Sequence, residues 1–128
     1  MATKTFSAHD LRVHAWWTET QIYSDYFFDM TATLKFDAVD ENTIFRFQEL
    51  RMIRLSFEEA DFPPCATSAR THLLNSMSQV MEGFKAFVAG NVDVARTSMS
   101  MAQDELYSLE DELYRLGVTV LYVKERLH

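Results

Sequence analysis

One acidic–histidine spacing in the chain is that of a metal-binding helical bundle. Glu125 and His128 are three residues apart, the spacing that di-iron bundles use for two of their ligands. Such a site needs Glu-x-x-His on two helices and further carboxylates on the other two. The chain has one copy, at its C-terminal end, so we interpret the motif as a chance occurrence.

Two more spacings place ligand-type residues on one side of a helix. Asp10 and His14 are four residues apart, and so are Asp25 and Asp29. A closed zinc site needs four ligands, so two on one helix are insufficient, although His72 could in principle join His14 across the bundle. We therefore expect the histidines to be surface or hydrogen-bonded boundary residues, and we predict no metal and no other cofactor.

Cys65 and His72 are the candidates for nucleophilic catalysis. On one helix, seven residues separate them by about 10.5 Å along the axis, which is beyond hydrogen-bond reach and so unsuitable for a catalytic dyad. We expect Cys65 to be a buried structural thiol. The chain also lacks a Gly-rich phosphate loop, Gly-x-Ser-x-Gly and His-Glu-x-x-His. These observations predict that the chain is not an enzyme.

The last predicted helix has the clearest periodicity, and it covers about residues 91–116. Asn91 is a good N-cap, and Gly117 fits the left-handed position after the helix, with Val118 making the accompanying apolar contact. Glu110 and Asp111 belong to the opposite, solvated side. The apolar residues alternate at steps of four and three: Ala95, Met99, Ala102, Leu106, Leu109, Leu113 and Leu116.

Three further helices are expected at about 7–35, 40–60 and 64–89. Pro63 and Pro64 mark the start of the third, and the linker Gly90-Asn91 is so short that the third and fourth helices must be antiparallel neighbours. The second is apolar around much of its circumference, which is typical of a helix buried by several neighbours. The apolar series are Trp16, Thr20, Tyr23, Phe27, Met30 and Leu34 in the first, Ile44, Phe45, Phe47, Leu50, Ile53, Phe57 and Ala60 in the second, and Leu73, Met77, Val80, Phe84 and Phe87 in the third.

These elements predict an all-α, antiparallel up-down four-helix bundle made of two helical hairpins. A length of 128 residues suits one domain, here residues 1–128. A short apolar C-terminal extension follows the last helix, because five of the six residues 118–123 are apolar. This segment is too short to form a sheet alone, and the sequence leaves open whether it is strand, helix or coil.

The composition excludes several function classes. A formal net charge of −7 disfavours general binding to nucleic acid or to anionic lipid. The single cysteine excludes an internal disulfide. No apolar run approaches the roughly 20 residues needed to span a bilayer, and the first ten residues do not resemble a signal peptide. A cytoplasmic location is therefore expected by default.

The leading functional hypothesis is a non-enzymatic protein–protein interaction or regulatory module that self-associates as a homodimer. Trp17 and Phe28 lie about 100° from the Trp16 series, so they belong either to a wide core or to a partner surface. The alternative hypothesis is a bundle that holds a small apolar or aromatic molecule among Trp16, Tyr23, Phe27, Phe84 and Phe87. The predicted interaction residues are Trp17, Phe28, Val118, Val120, Leu121, Tyr122 and Val123.

Overall fold

The computed structural model describes residues 8–32 and 40–118, with side chains described from Leu11 onwards. Over these residues the chain is all-α, and its four helices confirm the predicted four-helix bundle. Two of the predicted helices, the second and the fourth, both begin and end within one residue of the observed bounds. The helices are α1 (Ala8–Ala32), α2 (Glu41–Glu59), α3 (Thr67–Val88) and α4 (Val92–Arg115), and a short 3-10 turn, Pro64–Ala66, precedes α3.

The turn between α3 and α4 consists of Gly90 and Asn91, which end α3 and cap the start of α4. Gly90 adopts φ 82°, and its N–H donates to the Phe87 carbonyl while the Asn91 N–H donates to the Ala86 carbonyl. This is the Schellman pattern, which satisfies the last carbonyls of α3. The Asn91 side chain then accepts from the Val94 N–H and caps α4. The predicted antiparallel hairpin follows directly from this turn.

Small residues let α3 and α4 pack closely. A Cβ built on Gly83 would lie 3.1–3.2 Å from Met99 Cε, the Ala95 carbonyl oxygen and Ser98 Cβ. Ser76 lies seven residues before Gly83 on α3, and its buried hydroxyl donates to the Ala102 carbonyl at 2.9 Å. The backbones therefore approach to a distance that larger side chains at these positions would prevent.

The predicted apolar series of α3 and α4 form most of the core. In α4 five of the seven positions are buried, namely Ala95, Ala102, Leu106, Leu109 and Leu113, and Met99 and Leu116 are half-buried. On the opposite side Asp111 is exposed, whereas Glu110 is half-buried, so the solvated side is narrower than expected. The core residues that α3 and α4 contribute are Ala69, Leu73, Leu74, Met77, Val80, Met81, Phe84, Ala102, Leu106, Leu109 and Leu113.

Polar contacts attach α2 to α3. Arg54 donates from Nε to the Ser78 hydroxyl at 2.8 Å and pairs with Glu58 on its own helix. Arg70 donates to the Glu58 carbonyl at 2.7 Å and lies 4.4 Å from the centre of the Phe62 ring. These arginines therefore take part in local pairs and aromatic contacts, as expected of arginines interspersed with acidic residues.

The expectation that several neighbours bury the wide apolar arc of α2 is wrong. Its fully buried positions are Thr43, Leu50 and Phe57, which recur every seven residues and so form a narrow line. Ile44 and Phe45 are exposed instead. The reason is that α2 packs against α1 on one flank and α3 on another, and its outward side meets no described part of the chain.

The end of α4 follows the predicted pattern. Gly117 adopts φ 79°, its N–H donates to the Tyr114 carbonyl, and the Val118 N–H donates to the Leu113 carbonyl at 2.9 Å. The Val118 side chain is buried in the core. Val118 therefore closes the bundle end through the apolar contact that accompanies a Schellman turn.

Candidate functional site

The residues with catalytic or metal-binding chemistry do not converge over the described ranges. No group of three or more His, Cys, Asp and Glu side chains there could hold a metal ion. His72 Nδ1 lies 2.7 Å from Glu105 Oε2 and links α3 to α4. Cys65 is half-buried and packs against the core from the 3-10 turn. Glu125 and His128 lie outside the described residues.

Trp17 and Phe28 occupy the core side of α1. Trp17 is 4% exposed and its ring centre lies 6.2 Å from that of Trp16. Phe28 is half-buried and makes an edge contact with Phe27 at 5.2 Å. Trp17 could belong either to a wide core or to a partner surface. The structure places it in a wide core, because Val13, Trp16 and Trp17 are all buried and together form a broad buried side of α1.

Of the predicted C-terminal interaction residues, the structure describes Val118. Its side chain is 5% exposed and packs on the core of its own chain, so it is not available to a partner in this arrangement. Val120, Leu121, Tyr122 and Val123 lie outside the described residues, and their predicted contact stays a prediction.

The aromatic residues of the ligand-binding alternative lie in different places. Trp16 and Phe27 are buried in the core, whereas Tyr23 lines a groove between α1 and α2. Phe84 lines a separate cleft of about 210 Å³ between α2 and α3, where its ring stacks on Phe47 at 5.6 Å. Neither of these two clefts is lined by Trp16, Phe27 or Phe87.

The groove between α1 and α2 is lined by exposed apolar side chains. Ile22 and Tyr26 on α1 are 69% and 55% exposed, and Met52 on α2 is 59% exposed. Tyr23 and Ile53, both half-buried, also line the groove, whose volume is about 560 Å³. Single exposed apolar residues are ordinary on a protein surface, but a contiguous apolar patch is typical of a binding surface.

The charged residues that line this groove are both acidic. Asp25 and Asp29 are four residues apart on α1, so they project from the same side of the helix. Tyr26 donates a long hydrogen bond of 3.5 Å from its hydroxyl to Glu49 Oε2, which adds a third carboxylate close to the groove. The groove is therefore lined mainly by apolar residues, with the carboxylates of Asp25 and Asp29 among its lining side chains.

Reasoning from the sequence missed Ile22, Tyr26 and Met52. A second apolar series in α1 was the available signal: Leu11, Ala15, Ile22 and Tyr26, spaced at steps of four, seven and four, are all exposed. A helix with one apolar series buried and another exposed about 100° around its axis has more apolar surface than its own domain covers.

Comparison with models of protein families, with curated proteins and with solved structures finds no match to this chain. In the described residues, none of the helices is long and apolar enough to cross a bilayer.

Proposed function

We propose that the chain is a non-enzymatic, cytoplasmic protein-interaction module that binds a partner through the α1–α2 groove. The observation that carries this proposal is the exposure of Ile22, Tyr26 and Met52 on the walls of one groove. Tyr and Met are enriched in protein–protein interfaces. Burying such residues against a partner removes apolar surface from water, which favours binding by a free energy of roughly 25 cal/mol per Å² of buried apolar area.

The test compares two variants that each remove one exposed apolar side chain. Ile22→Ser alters the groove, whereas Tyr114→Ser alters α4 at a residue that is 78% exposed and does not line the groove. Each chain is immobilised, proteins from native extract are passed over it, and the dissociation constant of any retained protein is measured.

We expect Ile22→Ser to weaken binding of the retained protein by about tenfold or more, which corresponds to about 1.4 kcal/mol. Tyr114→Ser should leave the dissociation constant within about twofold. Equal affinity of the two variants would contradict the proposal, because the groove would then play no part in binding.

Self-association through residues 119–123, the part of the predicted interaction segment beyond Val118, is a separate part of the proposed function. Its support is the apolar composition of this segment beyond a bundle that α1 to α4 already complete. Closed two-fold dimers are the commonest assembly of soluble oligomers. A chain ending at Val118 is the appropriate variant, because it keeps the Val118 contact with the core.

We expect light scattering to give the mass of a dimer for the intact chain and of a folded monomer for the chain ending at Val118. Circular dichroism of the shortened chain checks that it is folded. A monomeric intact chain at micromolar concentration would contradict the dimer, and a dimeric shortened chain would place its interface elsewhere.

A second candidate function is binding of a small aromatic molecule in the α2–α3 cleft. The stacked Phe47 and Phe84 rings favour it, and Lys85 stands at the border, with Nζ 5.9 Å from the centre of the Phe47 ring. The cleft volume of about 210 Å³ is below the roughly 300–1,000 Å³ of typical ligand sites. A titration with indole tests this candidate. Indole should bind saturably to the parent chain, and Phe47→Ala should abolish this binding.

A further inference from the structure

We propose that the occupant of the α1–α2 groove is residues 119–123 of a second copy of this chain, and that two copies exchange these segments. This inference rests on the proposed function and joins its two parts, because the groove and the C-terminal segment become the two halves of one interface. Three observations support it: the charges around the groove, the length of the groove, and the distance between the groove and the start of the segment.

The charges around the groove favour an uncharged occupant. The carboxylates of Asp25 and Asp29 already take part in interactions within the chain, and so does Arg46 on α2. Glu49, one turn from Arg46, accepts a hydrogen bond from α1. None of these four groups therefore depends on an opposite charge from a partner. Residues 119–123 contain no charged side chain, and four of the five are apolar.

The groove is long enough for the apolar part of the segment. Ile22 and Asp29 both line it and are seven residues apart, which corresponds to about 10.5 Å along α1. The Cα atoms of residues 120 and 123 are separated by about 5 Å along a helix and by up to about 11 Å in an extended chain. The groove therefore accommodates all four apolar side chains in either conformation.

The groove opens on the side of the α1–α2 hairpin away from the core. Ile22 lies five residues before the fully buried Phe27, which places it about 140° away around α1. Met52 lies two residues after the fully buried Leu50, which places it about 160° away around α2. A segment that starts in the core must therefore pass around a helix to enter the groove of its own chain.

The segment begins far from the groove of its own chain. Val118 is buried just beyond the end of α4, and α4 ends beside the start of α3, which contacts the end of α2. Met52 lies seven residues, or about 10.5 Å, before the end of α2 at Glu59. The path to it also passes around a helix about 10–12 Å wide. Val120 and Leu121 extend only about 7 and 11 Å beyond Val118. This short reach favours the groove of a second copy.

A two-fold dimer makes this contact twice. Each copy contributes one groove and one segment, as a closed two-fold assembly requires. One segment of five residues in one groove is a small contact, and its repetition brings the buried area towards the roughly 1,200–2,000 Å² of stable interfaces.

The test measures dimerisation of the full chain by light scattering over a range of concentrations. Each copy has a formal net charge of −7, so the salt concentration is about 150 mM, where charges are screened beyond about 8 Å. Ile22→Ser changes the groove and Leu121→Ser changes the segment. Tyr114→Ser is the control, because this side chain is 78% exposed and does not line the groove.

We expect Ile22→Ser and Leu121→Ser each to raise the dissociation constant of the dimer at least about tenfold, and Tyr114→Ser to change it less than about twofold. Dimerisation also adds to the apparent stability of the folded chain. Unfolding of these variants is therefore measured below the dissociation constant, where the effect on the monomer is obtained alone.

A mixture of the two weakened variants tests the exchange directly. In a mixed dimer, the intact groove of the Leu121→Ser chain holds the intact segment of the Ile22→Ser chain, and both changes fall in the other contact. Each variant alone has a change in both contacts. Because two changes in one contact cost less than the sum of their separate effects, the mixed dimer should have a dissociation constant at least about threefold lower than either variant alone.

The outcomes distinguish this inference from the proposed function. A mixture that dimerises no better than either variant would overturn the exchange of segments. A monomeric intact chain in which Ile22→Ser and Leu121→Ser both lower the free energy of unfolding would overturn it in favour of the groove of the same chain. If Ile22→Ser leaves the dimer intact but weakens binding of a different protein from native extract, the inference fails and the groove remains a binding site. If Ile22→Ser changes neither, the groove itself is not a binding site.

Discussion

The two hairpins of the bundle use their apolar residues differently. In the α3–α4 hairpin, apolar residues concentrate on the facing sides, and Ser76 and Gly83 let the backbones approach. The α1–α2 hairpin has apolar residues on both its inner and outer sides. One polar link between its helices is the long Tyr26–Glu49 hydrogen bond, and Tyr23 contacts Phe57 at a ring distance of 5.7 Å.

This difference indicates a division of roles. The apolar residues of α3 and α4 mainly stabilise the fold, although scattered residues such as Tyr107 and Tyr114 are exposed. In α1 and α2, three of the exposed apolar residues line one groove, namely Ile22, Tyr26 and Met52. The exposed side chains of Leu11, Ile44, Phe45 and Leu55 do not line it. A hairpin that retains apolar surface beyond what its own core covers suits binding to another chain.

The largest expected effect is loss of the buried Leu109 side chain. Leu109 is fully buried in α4, so Leu109→Ala should lower the free energy of unfolding by about 2–5 kcal/mol, because close-packed neighbours collapse only partly into the cavity. Asp111→Ala, two residues away and exposed, should stay within about 0.5 kcal/mol. Chemical denaturation measures both, and equal losses would mean that the helical phase of α4 is misassigned.

A smaller effect is expected where the backbones of α3 and α4 approach. Gly83→Ala should destabilise by about 1–3 kcal/mol, because the added Cβ meets the Ala95 carbonyl and Ser98 at 3.2 Å. The intrinsic helix preference of Ala over Gly, about 1 kcal/mol, opposes this loss.

The matched control for that substitution is Ser100→Ala, at an exposed position of α4. Thermal unfolding of both variants gives the comparison. A Gly83→Ala variant more stable than the parent chain would contradict close packing between the helices.

The groove should contribute little to stability. Ile22→Ser and Met52→Ser should each change the free energy of unfolding by no more than about 0.5 kcal/mol, because both side chains are more exposed than buried. Phe57→Ser, on the buried side of α2, provides the contrast and should cost several kcal/mol. Denaturant midpoints check this, and losses above about 2 kcal/mol at Ile22 would show that the fold needs this side chain.

Sequence periodicity predicts the fold well and the candidate site poorly. The positions of Asn91, Gly90 and Gly117 determine the helix ends through local hydrogen bonds, so they can be identified from a few adjacent residues. Whether Ile22 is covered depends on the packing of α1 against its neighbours, which no local pattern contains. Trp17 is the converse case: its position on the helix is compatible with either a core or a surface, and it is buried in the structure.

The smallest expected effect distinguishes the starts of α2 and α4, one in each hairpin. Asp40 caps α2 by accepting from the Thr43 N–H at 3.0 Å, and this hydrogen bond, followed by one from the Thr43 side chain, holds the pKa of the carboxyl below 3.8. Asn91 caps α4 with an amide that does not titrate. Only the first of these two caps should therefore depend on pH.

The sign of this dependence follows from the lowered pKa in the folded state. The stabilisation by the Asp40 carboxylate is fully present above the unfolded pKa, near 3.8, and is lost as the pH falls through the lower folded pKa. In a nuclear magnetic resonance titration, the amide of Thr43 should shift with a midpoint below 3.8, and the amide of Val94 should not follow the same curve. Asp40→Asn keeps a good cap and should abolish the Thr43 titration. A Thr43 midpoint at or above 3.8 would mean that the carboxylate is not stabilised by this cap, and the start of α2 would then be held by packing alone.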